Sequence, residues 1–138
     1  MQSRLFRRGV QPPAPALSIH LRCEGTDQSI GPLLALVDTG ADATIVPLHH
    51  LLEIGAEESA PGWLRGIVGE RLPIKPYFVD IRLGDVAIPG IRVVGHLPAE
   101  DILLGRDVLN KLPLFLDGPQ QQTDVLDDAT TNRLRARR

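Results

Sequence analysis

The sequence predicts an all-β domain, a compact barrel or sandwich, on three observations. Short apolar stretches of strand character recur along the chain, turn residues separate them roughly every 8 to 12 residues, and helical periodicity is almost absent. With 138 residues the chain has room for one domain with a real core and little more. No internal repeat is visible.

Residues 1–16 read as a flexible arm stiffened by Pro12, Pro13 and Pro15. Leu17, Ile19, Leu21 and Cys23 then alternate with Ser18, His20, Arg22 and Glu24, the pattern of a strand with one buried face. After a turn at Gly25-Thr26-Asp27, the run Leu33 to Val37 is continuously apolar, as expected of a strand buried on both faces. It stops at Asp38-Thr39-Gly40-Ala41-Asp42, and Ala43 to Val46 resume strand character. Pro47 opens a short helical candidate through Glu53. Trp63-Leu64 and Leu72 to Tyr77 predict a hairpin whose tip holds Gly66-Ile67-Val68-Gly69. Val79 to Leu83, Val86 to Ile88 and Ile91 to Val94 follow as three further strands, the last two parted by Pro89-Gly90. Ile102 to Leu104 is another apolar run, and Asp107 to Lys111 suits one or two helical turns. Leu112 to Leu116 and Gln122 to Leu126 flank Asp117-Gly118-Pro119 as a terminal hairpin, and 127–138 has no periodicity and is expected to be disordered. The domain proper is therefore 17–126.

The composition excludes several classes. At 43% hydrophobic, 23% charged and net −2, the chain is an ordinary globular sequence with no charge bias toward nucleic acid or an anionic membrane. Its basic residues are nearly all Arg, and with abundant Gly, Pro and Ala this suggests GC-rich bacterial coding. Cys23 stands alone, so no internal disulfide forms, and its alternating neighbours make it a buried small hydrophobe. No apolar run reaches the roughly 18 residues of a membrane helix, and the basic start leads into prolines instead of a signal-peptide core. A cytoplasmic protein is expected. His20, His49, His50 and His96 lack metal-ligand spacing, no serine sits in a nucleophile elbow, and nothing calls for a metal or cofactor. The basic tail (Arg133, Arg135, Arg137, Arg138) reads as solvated.

Chemistry concentrates at Asp38-Thr39-Gly40. A buried strand feeding this turn sets a carboxylate at the rim of an apolar layer, and Gly40 allows a backbone conformation or close approach that a Cβ would oppose. Two carboxylates within about 3 Å share one proton, so one oxygen can activate water while the other protonates a carbonyl. Such a pair titrates as a unit, and an acidic to mildly acidic optimum follows. The tripeptide alone equally describes an ordinary Asx turn. Its surroundings are more specific. Leu36 to Val46 resembles the active-site segment of retropepsin-like aspartic peptidases. Ile102-Leu103-Leu104-Gly105-Arg106-Asp107-Val108-Leu109 resembles their second signature, and Gly66 to Gly69 lies where their substrate-covering flap belongs.

The resemblance spans about Leu17 to Leu126 and implies a single acid-protease barrel with one short C-terminal helix, assembled as a two-fold homodimer. It implies that Asp38 is the catalytic aspartate and that Thr39 interlocks the two subunits' loops. Gly40 and Asp42 would bond the substrate backbone, and Gly66, Ile67, Val68 and Gly69 would cover it. Ala41, Leu104, Gly105 and Arg106 would support the site, with Leu104 in a strand crossing beneath the loop and Arg106 forking onto Asp42. Asp107 stands where relatives often carry Asn. Because the chain has one Asp-Thr-Gly, a dyad requires two copies. The implied activity is peptide-bond hydrolysis of a peptide or protein substrate. The alternative is a weak or inactive dimerisation or peptide-binding module on the same fold.

Overall fold

The structure, a computed structural model, describes residues 2–65, 71–96 and 101–138. In chain order its elements are β1 (Gln2–Leu5), β2 (Ala16–Cys23), β3 (Ser29–Val37), β4 (Ile45–Pro47), α1 (Leu48–Glu53), β5 (Glu57–Glu58), β6 (Gly62–Arg65) and β7 (Arg71–Leu83). There follow β8 (Val86–His96), β9 (Ile102–Leu104), α2 (Arg106–Leu109), β10 (Leu114–Asp117), β11 (Gln122–Val125) and α3 (Asp128–Arg135). Strands β2, β3, β9, β4, β8 and β7 neighbour one another in that order, and β7 pairs back to β2, closing a barrel. Closure removes most free edges, which is how an all-β domain of this size avoids edge-to-edge association. A separate three-stranded sheet, β1-β11-β10, carries both ends of the chain.

The alternation in β2 does what it predicts: Leu17, Ile19 and Leu21 are fully buried and Cys23 nearly so. They meet Ala35, Val46, Leu51, Val79, Ile81, Val93, Ile102, Leu104 and Val108 in one core. Strand β3 differs from expectation. Ala35 is fully buried and Leu33 and Val37, half-buried, pack against the core, whereas Leu34 and Leu36, equally half-buried, do not, so the core covers one face and not two. The apolar run reflects its outer neighbours, Leu36 lying beside Leu103 across the parallel β3–β9 pair.

Pro89-Gly90 does not separate two strands; both halves belong to β8. Val79 pairs with Ile91 and Ile81 with Ile88, so the register shifts there by a bulge. Gly90, at φ +64, turns its N–H onto the buried Asp80 carboxylate at 2.9 Å, and Arg22 donates to the other oxygen at 2.8 and 3.2 Å. Burial pushes the Asp80 carboxyl up, but the Gly90 N–H and the Arg22 guanidinium outweigh it and hold it below the usual carboxylate value.

Both ends are more ordered than their composition predicts. Within the supposed flexible arm, β1 pairs antiparallel with β11, Phe6 N–H donates to Gln121, Arg7 bridges Ala14, and the Arg7 guanidinium pairs with Asp101. The supposed disordered tail forms α3, where Asp127 caps the first turn by accepting from Thr130 N–H at 2.7 Å. Neither is visible in local pattern, because β1 is specified by a partner over a hundred residues away and α3 buries only Thr131. Among the described residues there are thus three short helices where one was expected from the resemblance, with α1 as Pro47 suggested.

Candidate active site

Strand β3 delivers Asp38 into a tight loop before β4, and β9 lies alongside it. The parallel register sets Val37 beside Leu104, and Asp38 N–H donates to the Leu104 carbonyl at 3.0 Å. The loop closes on itself where Ala41 N–H meets the Asp38 carbonyl at 3.2 Å. Gly40 N–H donates to Asp38 Oδ1 at 3.0 Å, which fixes the carboxylate's orientation through one oxygen. Oδ2 makes no hydrogen bond among the described residues. Asp38 is half-buried, while Thr39 and Gly40 are exposed at the tip.

Of the two reasons for a glycine at position 40, backbone conformation and close approach, positive φ is not in use, since Gly40 is absent from the positive-φ glycines. Its need for a missing Cβ is one of space, since a Cβ there would stand 3.3 Å from Asp38 Oδ1. Gly105 is more constrained: a Cβ would fall 2.6 Å from the Ala43 backbone. The Gly105-Arg106 turn therefore packs directly onto the loop's return limb.

Arg106 holds the loop from below, but not as the expected two-pronged contact with Asp42. One arm pairs with Asp42, the other donates to the Thr39 carbonyl at 2.7 Å, and its backbone N–H reaches the Ala41 carbonyl at 2.9 Å. The guanidinium spans both sides of the loop, so the fork serves position more than ion pairing. With side chains 42% and 73% exposed, the Arg106–Asp42 pair is screened by water and adds little stability by itself.

Sequence reasoning missed two supporting residues. Thr44, fully buried, donates its N–H to Asp107 Oδ2 at 3.1 Å and its hydroxyl to Oδ1 at 2.7 Å. The same hydroxyl accepts from Gly105 N–H at 3.1 Å, and the Thr44 carbonyl accepts from Val94 N–H at 2.9 Å. A polar residue inside the apolar Ala43-Thr44-Ile45-Val46 stretch was the available signal, since a buried hydroxyl demands a partner.

The structure thus gathers Asp38, Thr39, Gly40, Ala41, Asp42, Leu104, Gly105 and Arg106 into one cluster. The expected flap residues Gly66, Ile67, Val68 and Gly69 lie outside the described residues. A cavity of about 400 Å³ is lined by His20, Arg22, Ser29, Asp80, Arg82 and their neighbours, and by no residue of the Asp38 loop. Among the described residues no His, Cys, Asp or Glu cluster is placed to hold a metal, and no helix is long and apolar enough to cross a membrane.

A closed β-barrel whose Asp-Thr-Gly loop rests on a Gly-Arg-Asp turn has the architecture of acid proteases. The model of the family "retroviral aspartyl protease" matches residues 11–117, and the chain belongs to that family. Two solved structures share the fold. EIAV protease in complex with the inhibitor HBY-793 is 21% identical, covering 71% of this chain and 86% of its own, with a TM-score of 0.52. A retropepsin-like aspartic protease from Rickettsia conorii is 14% identical, covering 88% of both chains, with a TM-score of 0.55. No curated protein matches the chain.

Proposed function

We propose that the protein is an aspartic endopeptidase that works as a homodimer, each subunit supplying one Asp38 to a shared dyad. The observation carrying this reading is the Asp38 carboxylate, held through Oδ1 by Gly40 N–H at the exposed tip of a loop latched by Leu104 and Arg106. Family membership supports protease activity in general.

In the dimer the two carboxylates share one proton. The ionised one takes a proton from water as the water oxygen bonds the peptide carbonyl carbon, and the other gives its proton to the carbonyl oxygen. The resulting gem-diol collapses as a proton passes to the amide nitrogen and the C–N bond breaks. Thr39, whose hydroxyl makes no hydrogen bond among the described residues, is available to the partner's loop. Gly40 and Asp42 lie on the same exposed rim, suited to hydrogen-bonding an extended peptide. The 66–69 segment would cover that peptide.

The test is a peptide-library digest at several pH values with wild type and Asp38→Asn. Cleavage by wild type alone, with both proteins folded and dimeric, is the expected result. A dimeric Asp38→Asn that still cuts sinks the assignment, and a wild-type dimer that cuts nothing favours a binding module.

A further inference from the structure

We propose that the outer face of the barrel carries a second binding site, for a small multiply charged oxyanion held between Arg22 on β2 and Arg82 on β7. The site is the cavity of about 400 Å³ that no residue of the Asp38 loop lines, so it stands apart from the dyad.

Strand pairing brings its residues together. His20 lies opposite Arg82, and Arg22 opposite Asp80, across the β2–β7 pair that closes the barrel. Ser29 lies opposite Arg22 from β3, and Ala87 opposite Arg82 from β8. Leu21 and Ile81 between them are fully buried, so the alternation turns these neighbours to the outer face. Two register shifts frame the cavity. Strand β3 gains a residue opposite His20, and β8 gains one opposite Asp80. Bulges of this kind bend a strand and re-aim its side chains. At the first, a Cβ on Gly31 would fall 2.6 Å from His20 Cδ2, so the glycine leaves room for the imidazole.

Charge decides the occupant. Asp80 is the one carboxylate among the described lining residues, and both its oxygens are engaged. Gly90 N–H holds Oδ1, while Arg22 Nε and Nη2 hold Oδ2. That contact fixes the Arg22 guanidinium and leaves its Nη1 without a partner among the described residues. Arg82 engages only Nε, on the Gly84 carbonyl at 3.2 Å, so its two terminal nitrogens are equally unspent there. Two guanidiniums against one neutralised carboxylate leave the lining positive, with donors to spare. Guanidinium forks match phosphate and carboxylate oxygens in pairs. The volume falls within the range of small-molecule sites, so an organic remainder fits beside the charged group. An occupant bridging Arg22 and Arg82 ties together the two strands that close the barrel, and so stabilises the fold by mass action.

Calorimetric titration and thermal unfolding of the full chain test this, with pyrophosphate and citrate as probes at constant ionic strength. Wild type is expected to bind at least one of them saturably, one per chain, with a rise in Tm. Arg82→Gln should weaken that binding by about tenfold, as loss of a charged fork requires. Arg135→Gln, on the exposed last turn of α3, should leave it unchanged. Should Arg82→Gln fold poorly by circular dichroism, Arg22→Lys, which keeps a cation for Asp80 but no fork, gives the same readout. A preference for pyrophosphate supports a phosphate-bearing ligand, one for citrate a carboxylate-bearing ligand, and equal binding a site for either. No saturable binding, equal weakening by Arg135→Gln, or undiminished binding in both Arg82→Gln and Arg22→Lys overturns the site. Each of these outcomes leaves cleavage by Asp38 to its own test.

Discussion

Thr44 and Asp107, sixty-three positions apart, are joined by two hydrogen bonds that fasten the return limb of the Asp38 loop to the first turn of α2. Both Asp107 oxygens are used, and Thr44 is fully buried, so neither bond is exchanged readily for water. Losing the carboxylate strands a buried N–H and hydroxyl, a cost of about 1–3 kcal/mol. Asp107→Ala is therefore expected to lower the unfolding free energy by that amount, read as a fall in the urea midpoint at unchanged m. Asp107→Asn should lose less, because its amide oxygen still accepts from Thr44 N–H while its NH₂ can donate to the hydroxyl. Equal losses from the two variants would show that the pair is not what holds the limb.

Arg106 tests position against charge. Its two arms reach Asp42 and the Thr39 carbonyl, contacts that a single ammonium cannot make together. Arg106→Lys keeps the charge and is expected to cost under about 1 kcal/mol of stability, as suits a water-screened pair. Peptide cleavage should fall by about tenfold, the rate equivalent of about 1.4 kcal/mol, because the Thr39-Gly40 tip loses one support. The check is kcat/KM beside a denaturation midpoint; parallel loss of both would mark Arg106 as merely structural.

The barrel and the cluster around Asp38 were legible because both are written in short-range pattern. Leu17, Ile19 and Leu21 alternate as their burial requires, and the loop and the Gly105-Arg106 turn each occupy a few contiguous residues. What escaped was specified by distant partners. Asp107 read as an interchangeable polar residue until Thr44 stood beside it, and β1 read as a loose arm until β11 supplied its ladder. Pro89-Gly90 misled for a related reason: turn residues in a sequence look the same whether they end a strand or bulge it, and only the Asp80 contact separates the cases.

His50 on α1 gives the fold a pH dependence near neutrality. Burial lowers its pKa from 6.5, the neighbouring His49 lowers it further, and Glu53 opposes them. Its Nδ1 is buried without a hydrogen-bond partner, so protonation would bury another unmatched N–H. Because the folded value lies below the unfolded one, the unfolded chain binds the proton first as pH falls. The stability this group contributes is complete above 6.5 and is lost as pH drops from there through the folded value. Urea midpoints of wild type should fall over that window, and His50→Gln should flatten this component. An unchanged slope in His50→Gln would assign the dependence to other groups.

The C-terminal helix should melt in acid independently of the barrel. Hydrogen bonds from the Thr130 hydroxyl and backbone N–H hold the Asp127 carboxyl below its usual 3.8, although the residue is exposed. A depressed folded value means that the cap's contribution is present above the unfolded pKa and disappears as pH falls through the folded one. Only Thr131 of α3 is buried, so little packing replaces the cap once it is protonated. Amide exchange at Thr130 and Thr131 is expected to accelerate below pH 3.8 in wild type while Leu21 and Ile81 in the barrel stay protected. Asp127→Ala should show the faster exchange at every pH, whereas Asp127→Asn, which caps without titrating, should keep protection and lose its acid sensitivity. Slow exchange in Asp127→Ala at neutral pH would mean that α3 is held by something other than its cap.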